Sequence, residues 1–371
     1  MTTTIAKLRR SVVVDVGPLD AAAFCFNGVH VRVESNSRAL LERLQGYFAP
    51  FLCEPGGKTR LLTVIQKPSP EWELPFRAWK RGSGKRGRKE AVCDLADGRV
   101  VRKLRTGMQF LIGQQHLVAV GDCESNDNQV INFLIAQILF CWIDQDAALC
   151  HAAGVLFQGQ GVMICARSGG GKSTLALHLM SAGATFLSND RTLLFLDKET
   201  AQVAMRGVPK QPRVNPGTLL HNDRLMGVLA SDRAEVLRTL PKTQLWDLEE
   251  KYDVDVEAIY GSGRWTLTAP LSVVLLLNWR QDAEEEATFR RVSLKQRPDL
   301  LGLIMKAPGP FYVEWGKQDA VVQRQSESGS YLRALRGAPV YEATGRVNFA
   351  AACEFFSRFA DSAGRQTGCD F

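Results

Sequence analysis

Several signatures of familiar protein classes are missing from the sequence. Its nine cysteines include no Cys-x-x-Cys pair, which excludes the common zinc-ribbon and thioredoxin spacings. Their odd number and scattered positions predict reduced thiols, as in a cytosol. The longest apolar window, residues 130–143, is interrupted by Asn132 and Gln137 and falls short of the roughly 20 residues of a membrane span. The apolar run at residues 12–14 is too short for a signal-peptide core. We therefore expect a cytoplasmic protein without membrane association.

The sequence also lacks a large excess of either positive or negative charge. The 371 residues carry 46 Lys and Arg against 39 Asp and Glu, and this net charge of +7 is too small to indicate nucleic-acid binding. The basic segment at residues 80–89 contains no apolar residue, so we expect an exposed loop. It is either a docking patch for an acidic partner or a solvated hairpin tip, and we favour the tip. No recognition motif accompanies it, which argues against a nucleic-acid partner.

The first predicted domain, residues 1–125, is β-rich. Alternating apolar residues surround the hairpin dipeptide Asn27-Gly28, which predicts two paired strands. A buried strand is expected at residues 61–65, a hairpin turn at Gly98-Arg99 and a second hairpin over residues 108–120. Together these short strands predict a sheet.

The second predicted domain spans residues 126–371 and has α/β character. It opens with a helix, because apolar residues recur at spacings of three and four after the capping-rich segment 125–128. Short strands and helices then alternate. Strands are predicted at residues 152–157, 162–166, 185–187, 193–196, 271–277 and 340–343, and helices at residues 173–181 and after Asn348.

The central motif of this domain is the run ARSGGGKS at residues 166–173. It fits the phosphate-binding loop pattern, except that Ala166 replaces the first glycine. Successive glycines let backbone N–H groups surround phosphate oxygens, and the helix that follows adds its positive dipole end. A glycine-rich turn that merely caps a helix is the weaker alternative, because a buried strand precedes the loop. The predicted nucleotide-binding residues are Arg167, Ser168, Gly169, Gly170, Gly171, Lys172, Ser173 and Thr174.

The expected ligand of this loop is ATP with Mg²⁺. Lys172 can reach the β- and γ-phosphates, and Ser173 can ligate the metal. Asp190 follows a short strand, and in a parallel sheet its position is the carboxyl edge beside the loop. A carboxylate there can hold Mg²⁺ or accept a proton from an attacking hydroxyl. The alternative for Asp190 is a turn-capping role beside Arg191. His151 precedes the strand that pairs with the loop's own strand, but spacing alone does not distinguish a catalytic from a structural histidine.

Residues 150–194 resemble the catalytic core of the HPr kinase/phosphorylase family, and more closely its branch called HPr-kinase-related kinase B. The resemblance rests on His151, on the loop at residues 168–173 and on the pair Asp190-Arg191, in that order and spacing. The short distance from the helix to Asp190 is shared with phosphoenolpyruvate carboxykinases. The resemblance implies a P-loop core of the type found in those two families, and a homo-oligomer.

The resemblance also implies roles for the matching residues. Lys172 would bind the transferring phosphate, Ser173 the metal, Asp190 the proton of the substrate hydroxyl, and His151 would lie near the phosphates. Three positions depart from the family pattern: Asn189 replaces an aspartate, Ala204 stands at or near a metal-binding glutamate, and Val254 replaces an arginine. These losses argue against the phosphorolysis half of the family's chemistry more than against nucleotide binding. The candidates for a substitute cation are Arg206, Lys210, Arg213 and Arg264.

Two further segments are ambiguous in the sequence. Residues 246–257 are rich in carboxylates and form either a metal or acceptor site or, as we favour, a solvated face. Residues 208–215 hold two prolines and two cations, which suits a mobile loop that closes on the nucleotide or a stiff connection.

The expected function is therefore that of a phosphotransferase, an HPr-kinase-related serine kinase. It would transfer the γ-phosphoryl group of ATP to a hydroxyl, with a protein serine as the expected acceptor. The alternatives are a small-molecule acceptor, or a nucleotide-dependent binding module that has lost catalysis.

Overall fold

A computed structural model of the chain describes residues 3–57, 59–79, 89–143, 147–197, 199–248, 250–314 and 328–367. The chain divides into two compact units. The first takes residues 1–144 and 307–325, and the second takes residues 145–306 and 326–371. Among the described residues, none of the helices combines the length and the apolar character that crossing a membrane requires.

Within the described residues, the first unit contains one eight-stranded sheet and three α-helices. In chain order they are α1 (Ile5–Val13), β1 (Asp20–Phe26), β2 (Val29–Ser35), α2 (Arg38–Tyr47), β3 (Thr59–Gln66), β4 (Arg77–Ala78), β5 (Glu90–Leu95), β6 (Gly98–Lys103), β7 (Gln109–Gly113), β8 (Leu117–Gly121) and α3 (Asp127–Ile143). The strand order is β1-β2-β3-β8-β7-β6-β5-β4, and β3 pairs in parallel with β2 and β8. The strand-rich character predicted for this part of the chain is confirmed.

The hairpin predicted at Asn27-Gly28 is present. Both residues have positive φ, 46° and 81°, which matches the twist of the two antiparallel strands they join. The turn predicted at Gly98-Arg99 is displaced. Residues 96–97 make that turn, and Gly98 opens β6. Glycine is required there because a Cβ atom would overlap the carbonyl oxygen of Ile112 on the neighbouring strand.

Helix α3 belongs to the first unit, so the division between the units lies after this helix, whereas the predicted boundary near residue 125 lies before it. Phe133 of α3 packs against Phe110 of β7 with ring centroids 4.9 Å apart. The chain also returns to this unit after residue 306. Phe311 contacts both of these rings, with centroid distances of 5.0 Å. Nothing in the sequence pattern predicted this return.

The second unit contains the remaining elements. They are β9 (Ala148–Cys150), β10 (Ala152–Phe157), β11 (Gln160–Ala166), α4 (Lys172–Ser181), β12 (Thr185–Ser188), β13 (Thr192–Leu196), β14 (Val203–Gly207), β15 (Arg213–Val214), α5 (Pro216–Leu220), α6 (Ser231–Arg238), α7 (Lys242–Asp247), β16 (Tyr252–Asp253), α8 (Val256–Tyr260), β17 (Thr268–Pro270), β18 (Val273–Leu277), β19 (Thr288–Arg291), α9 (Leu301–Ile304), α10 (Ser328–Ala334), β20 (Val340–Thr344) and α11 (Phe349–Thr367). The predicted α/β class is confirmed in the form of a mixed α/β fold with several sheets.

The main sheet of this unit is mixed rather than parallel. Its order is β12-β10-β11-β18-β20-β19. Strands β11, β18 and β20 are parallel, whereas β10 runs antiparallel to both of its neighbours. Two successive antiparallel pairings give β12 the same direction as β11. The predicted position of Asp190 at the carboxyl edge therefore holds, although the reason is this double reversal rather than a parallel neighbour.

Apolar side chains cover both faces of the six-stranded sheet. Alternate residues of a strand point to opposite faces, so Ile164 and Leu275 pack beneath helix α4, in a cluster that includes Leu175. Met163 and Leu276 face the other way and pack towards a four-stranded sheet of order β17-β14-β13-β9. Strand β11, which precedes the glycine-rich loop, is therefore covered by apolar packing on both faces of the sheet.

Candidate functional site

The glycine loop, residues 167–171, connects the end of β11 to the start of α4. Gly169 and Gly171 have φ values of 79° and 93°, in the left-handed region that favours glycine. Gly170 is required for a different reason, since a Cβ atom there would lie 2.8 Å from the Cβ of Ala166. All three glycines are therefore needed to build this turn. Arg167, Ser168 and Gly169 are exposed.

Two aromatic residues contact the backbone of the glycine loop. The Trp279 indole Nε1 donates a hydrogen bond to the Gly170 carbonyl oxygen at 3.1 Å. The Phe349 ring lies 2.9 Å from where a Cβ of Gly171 would be, and it meets Trp279 edge-on with centroids 5.3 Å apart. Neither contact was predictable from the sequence, because Trp279 and Phe349 are far from the loop in the chain and belong to no motif.

The first residues of α4 place polar groups next to the loop. Lys172 is buried, with 7% of its surface exposed. The Ser173 hydroxyl donates to the Asn189 side-chain oxygen at 2.7 Å. The Thr174 hydroxyl lies 2.7 Å from that of Thr218. Asn189 therefore presents a side-chain oxygen beside Ser173, at the position where the resembled family has an aspartate.

Asp190 follows β12 and has a φ of 67°, an unusual conformation for a residue other than glycine. Its Oδ1 lies 3.1 Å from His151 Nε2, and its Oδ2 lies 2.7 Å from Lys306 Nζ. Partial removal from water raises the pKa of this carboxyl group. The hydrogen bond from His151 and the charge of Lys306 outweigh that effect and hold the pKa well below its ordinary range. Asp190 is therefore charged at neutral pH, and 54% of its side chain remains exposed.

His151 lies between β9 and β10, where the chain passes from the four-stranded to the six-stranded sheet. Its backbone N–H donates to the Ile304 carbonyl oxygen at 2.7 Å. The hydrogen bond to Asp190 raises the pKa of His151, but burial and the charges of Lys172 and Lys306 together lower it below its ordinary value. His151 is therefore neutral at pH 7. A neutral imidazole with its proton on Nε2 donates to Asp190.

Further cations approach Asp190. Burial, together with the charge of Arg191, lowers the pKa of Lys210 to about 8, against the opposing effect of Asp190. Burial lowers the pKa of Lys306 to about 8, against the effect of Asp190. We call His151, Asp190, Arg191, Lys210 and Lys306 the Asp190 cluster. Lys306 was not predicted, and its position 116 residues from Asp190 gave no sequence signal.

The structure separates the four candidate substitute cations. Arg264 donates to the carbonyl oxygens of Ala184 and Met180, and Arg206 lies over the Phe195 ring at 4.3 Å. Arg213 forms an ion pair of 3.2 Å with Asp253. Lys210 acts most directly on the Asp190 cluster, because its charge interacts with those of Arg191 and Asp190. Ala204 and Val254, where the resembled family has charged residues, are buried.

Among the described residues, the acidic segment and the segment 208–215 add only Lys210 to the site. In the acidic segment, Asp253 pairs with Arg213, Glu250 pairs with Arg233, and Asp255 caps α8. No group of three or more His, Cys, Asp or Glu side chains suited to a metal ion occurs within the described ranges. In the segment 208–215, Val208 and Gln211 each form a hydrogen bond to another part of the chain. These bonds favour a stiff connection over a mobile loop. The basic segment at 80–89 lies outside the described residues except for Lys89.

Comparisons with known proteins add little. No protein-family model matches the chain, and no curated protein matches it. A solved structure, the HPr(Ser) kinase/phosphatase from Coxiella burnetii, aligns with 59% of this chain and 91% of its own, at 10% identity and a TM-score of 0.29. A likeness of that size establishes neither a family nor an activity for the chain.

Proposed function

We propose that the second unit binds ATP with Mg²⁺ at the glycine loop and transfers the γ-phosphoryl group to a hydroxyl. One observation carries this proposal. The Ser173–Asn189 hydrogen bond of 2.7 Å joins the start of the glycine-loop helix to the residue that precedes Asp190. A glycine loop suited to anions and a charged carboxylate are therefore near each other. This arrangement suits phosphoryl transfer to a hydroxyl, which depends on positioning the nucleophile beside a stabilised phosphate.

The glycine loop and α4 support binding of the triphosphate. Exposed backbone at Ser168 and Gly169 precedes a helix of 10 residues, whose N-terminal dipole favours anions. Lys172 would neutralise charge on the transferring group. The oxygens of Ser173 and Asn189 fit Mg²⁺, which takes oxygen ligands and keeps several waters beside substrate phosphates. When bound, the ion would offset negative charge between the β- and γ-phosphates.

Asp190 and His151 support removal of the acceptor's proton. The acceptor oxygen would attack the γ-phosphorus, the bond from phosphorus to the β,γ-bridging oxygen would break, and ADP would leave. The hydroxyl proton would pass to the Asp190 carboxylate. His151 would orient that carboxylate through its Nε2–H at 3.1 Å from Oδ1.

The exposure of Asp190 bears on the size of the acceptor. With 54% of its side chain accessible, the carboxylate is open to the surface rather than enclosed. This supports a protein serine, because a small-molecule kinase would surround its acceptor in a closed pocket. Phosphoryl transfer itself does not specify the size of the acceptor.

The test is transfer of γ-labelled phosphate from ATP, with Mg²⁺, into a lysate separated into protein and small-molecule fractions. We expect label in a discrete protein band, lost with Lys172→Ala and Asp190→Asn and retained with Lys295→Ala, which changes an exposed lysine. Asp190-dependent label only in small molecules would replace the protein acceptor by a metabolite. ATP binding with no Asp190-dependent label in either fraction would contradict the proposed transfer and indicate a nucleotide-dependent binding module.

A further inference from the structure

Both oxygens of the Asp190 carboxylate are occupied in this structure. Oδ1 meets His151 Nε2 at 3.1 Å, and Oδ2 accepts from Lys306 Nζ at 2.7 Å. Lys306 Nζ also donates to the Asp190 backbone carbonyl oxygen at 3.0 Å. A carboxylate held by a cation in this way is a weak proton acceptor. Asp190 would therefore be a stronger base once one of these partners, and the positive charge of Lys306 above all, has moved away.

Lys306 is the partner that can leave without disturbing the fold. Its backbone N–H is fixed by the Leu149 carbonyl oxygen at 3.2 Å and lies 3.3 Å from the Tyr331 hydroxyl. Its side chain is 19% exposed and reaches Asp190 as a flexible stem. His151, in contrast, is held between two strands. Rotation of the Lys306 side chain alone would break the ion pair.

An anion at the glycine loop would attract Lys306. Lys306 lies close to the loop, because its partner Asp190 directly follows Asn189, whose side chain accepts a hydrogen bond of 2.7 Å from Ser173 at the start of α4. Its positive charge also interacts unfavourably with that of Lys172, the residue that we assign to the transferring phosphate. A γ-phosphate bound there would replace this repulsion by attraction.

We propose that Lys306 is a switching cation: it pairs with Asp190 in the nucleotide-free protein and moves to the γ-phosphate of bound ATP, which frees Asp190 to accept the proton. This inference rests on the proposed function. It assigns Lys306 a direct phosphate contact that ADP, lacking the γ-phosphate, cannot make. It also couples activation of the base to the presence of the phosphoryl donor.

The test is the affinity for ATP and for ADP, each with Mg²⁺, measured by calorimetry on the full chain. Lys306→Met should weaken ATP binding by about 10- to 100-fold, the effect expected for losing a hydrogen bond to a charged group. ADP binding should stay nearly unchanged. Lys306→Arg, which keeps the charge, should restore most of the ATP affinity. Lys295→Met, in an exposed lysine of the same unit, is the matched control.

The Asp190→Asn background separates a phosphate contact from a purely structural ion pair. The selective loss of ATP affinity on Lys306→Met should persist there, because the contact is with phosphate. Its disappearance in that background, or an equal loss for ATP and ADP, would overturn the inference and leave the proposed function intact. A wild-type protein that binds neither nucleotide would overturn the proposed function and this inference together.

Discussion

The glycine loop and the Asp190 cluster lie next to each other but are built in opposite ways. Consecutive residues form the loop, and its shape follows from backbone conformation at Gly169 and Gly171. The cluster instead brings Lys306 to Asp190 across 116 residues of chain. The loop is shaped by its backbone, whereas the cluster consists of charged side chains that alter one another's pKa. We infer that the shape of the glycine loop is encoded locally and that the Asp190 cluster is set by the tertiary fold.

The largest expected effect tests whether Asp190 acts in phosphoryl transfer rather than in ATP binding. Asp190→Asn should lower the single-turnover rate of phosphoryl transfer by about 10²- to 10⁴-fold, the usual contribution of a general base. ATP affinity should change far less. The control is Asp282→Asn, which removes an exposed carboxylate paired with Arg280. Unchanged phosphoryl transfer in Asp190→Asn would contradict the role assigned to the Asp190 cluster, because the cluster would then have no part in the chemistry.

The next effect concerns the loop's backbone. Gly171→Ala should destabilise the protein by about 1–3 kcal/mol, because a non-glycine residue is strained at positive φ. The φ of Gly171 is 93°, and its new Cβ would lie 2.9 Å from Phe349 Cε1. Denaturant unfolding of the full chain measures this effect. Gly302→Ala is the control, because its Cβ would meet no atom within 4 Å. Equal stability of the two variants would contradict a loop shaped by glycine.

A third change acts where the two regions meet. Asn189→Asp places a carboxylate beside the Ser173 hydroxyl, which now bonds Asn189 at 2.7 Å. The Mg²⁺ concentration needed for half-maximal ATP binding should fall on the order of tenfold, because added ligand charge strengthens divalent-cation sites. Asn36→Asp, in an exposed asparagine of the first unit, is the control. An unchanged Mg²⁺ requirement would argue against a metal at Ser173.

The smallest effect is on acid stability. Because the folded-state pKa of Asp190 is held well below its ordinary value of 3.8, its charged form stabilises the folded chain above that pH. This contribution should be lost as the pH falls from 3.8 through the folded-state pKa. We expect less than about 1 kcal/mol, since solvent screens a half-exposed pair. The stability difference between wild type and Asp190→Asn should therefore shrink in acid. A constant difference would contradict the assignment.

The same contrast explains which features the sequence could predict. The strand before the loop, the glycine turn and the helix after it depend on local apolar patterning and glycine conformation, and all three were predicted from residues 162–181. The Asn27-Gly28 hairpin was predictable for the same reason. The Gly98 turn was misplaced because a glycine needed for close approach to Ile112 resembles a turn glycine in sequence.

Tertiary contacts account for what the sequence missed. Trp279 behind the loop and Lys306 on Asp190 come from distant segments, and neither belongs to a motif. Separating the candidate cations likewise needed the fold, which directs Arg264 to carbonyl oxygens and Arg213 to Asp253. No periodic pattern in the sequence predicted that the chain returns to the first unit at Phe311.

The most direct test is a calorimetric titration of the purified protein with ATP, with and without Mg²⁺. We expect saturable binding of one nucleotide that Mg²⁺ strengthens, that Lys172→Met abolishes and that Lys295→Met leaves intact. Absence of binding to the wild type, or binding that survives Lys172→Met, would contradict the assignment of the glycine loop as the triphosphate site.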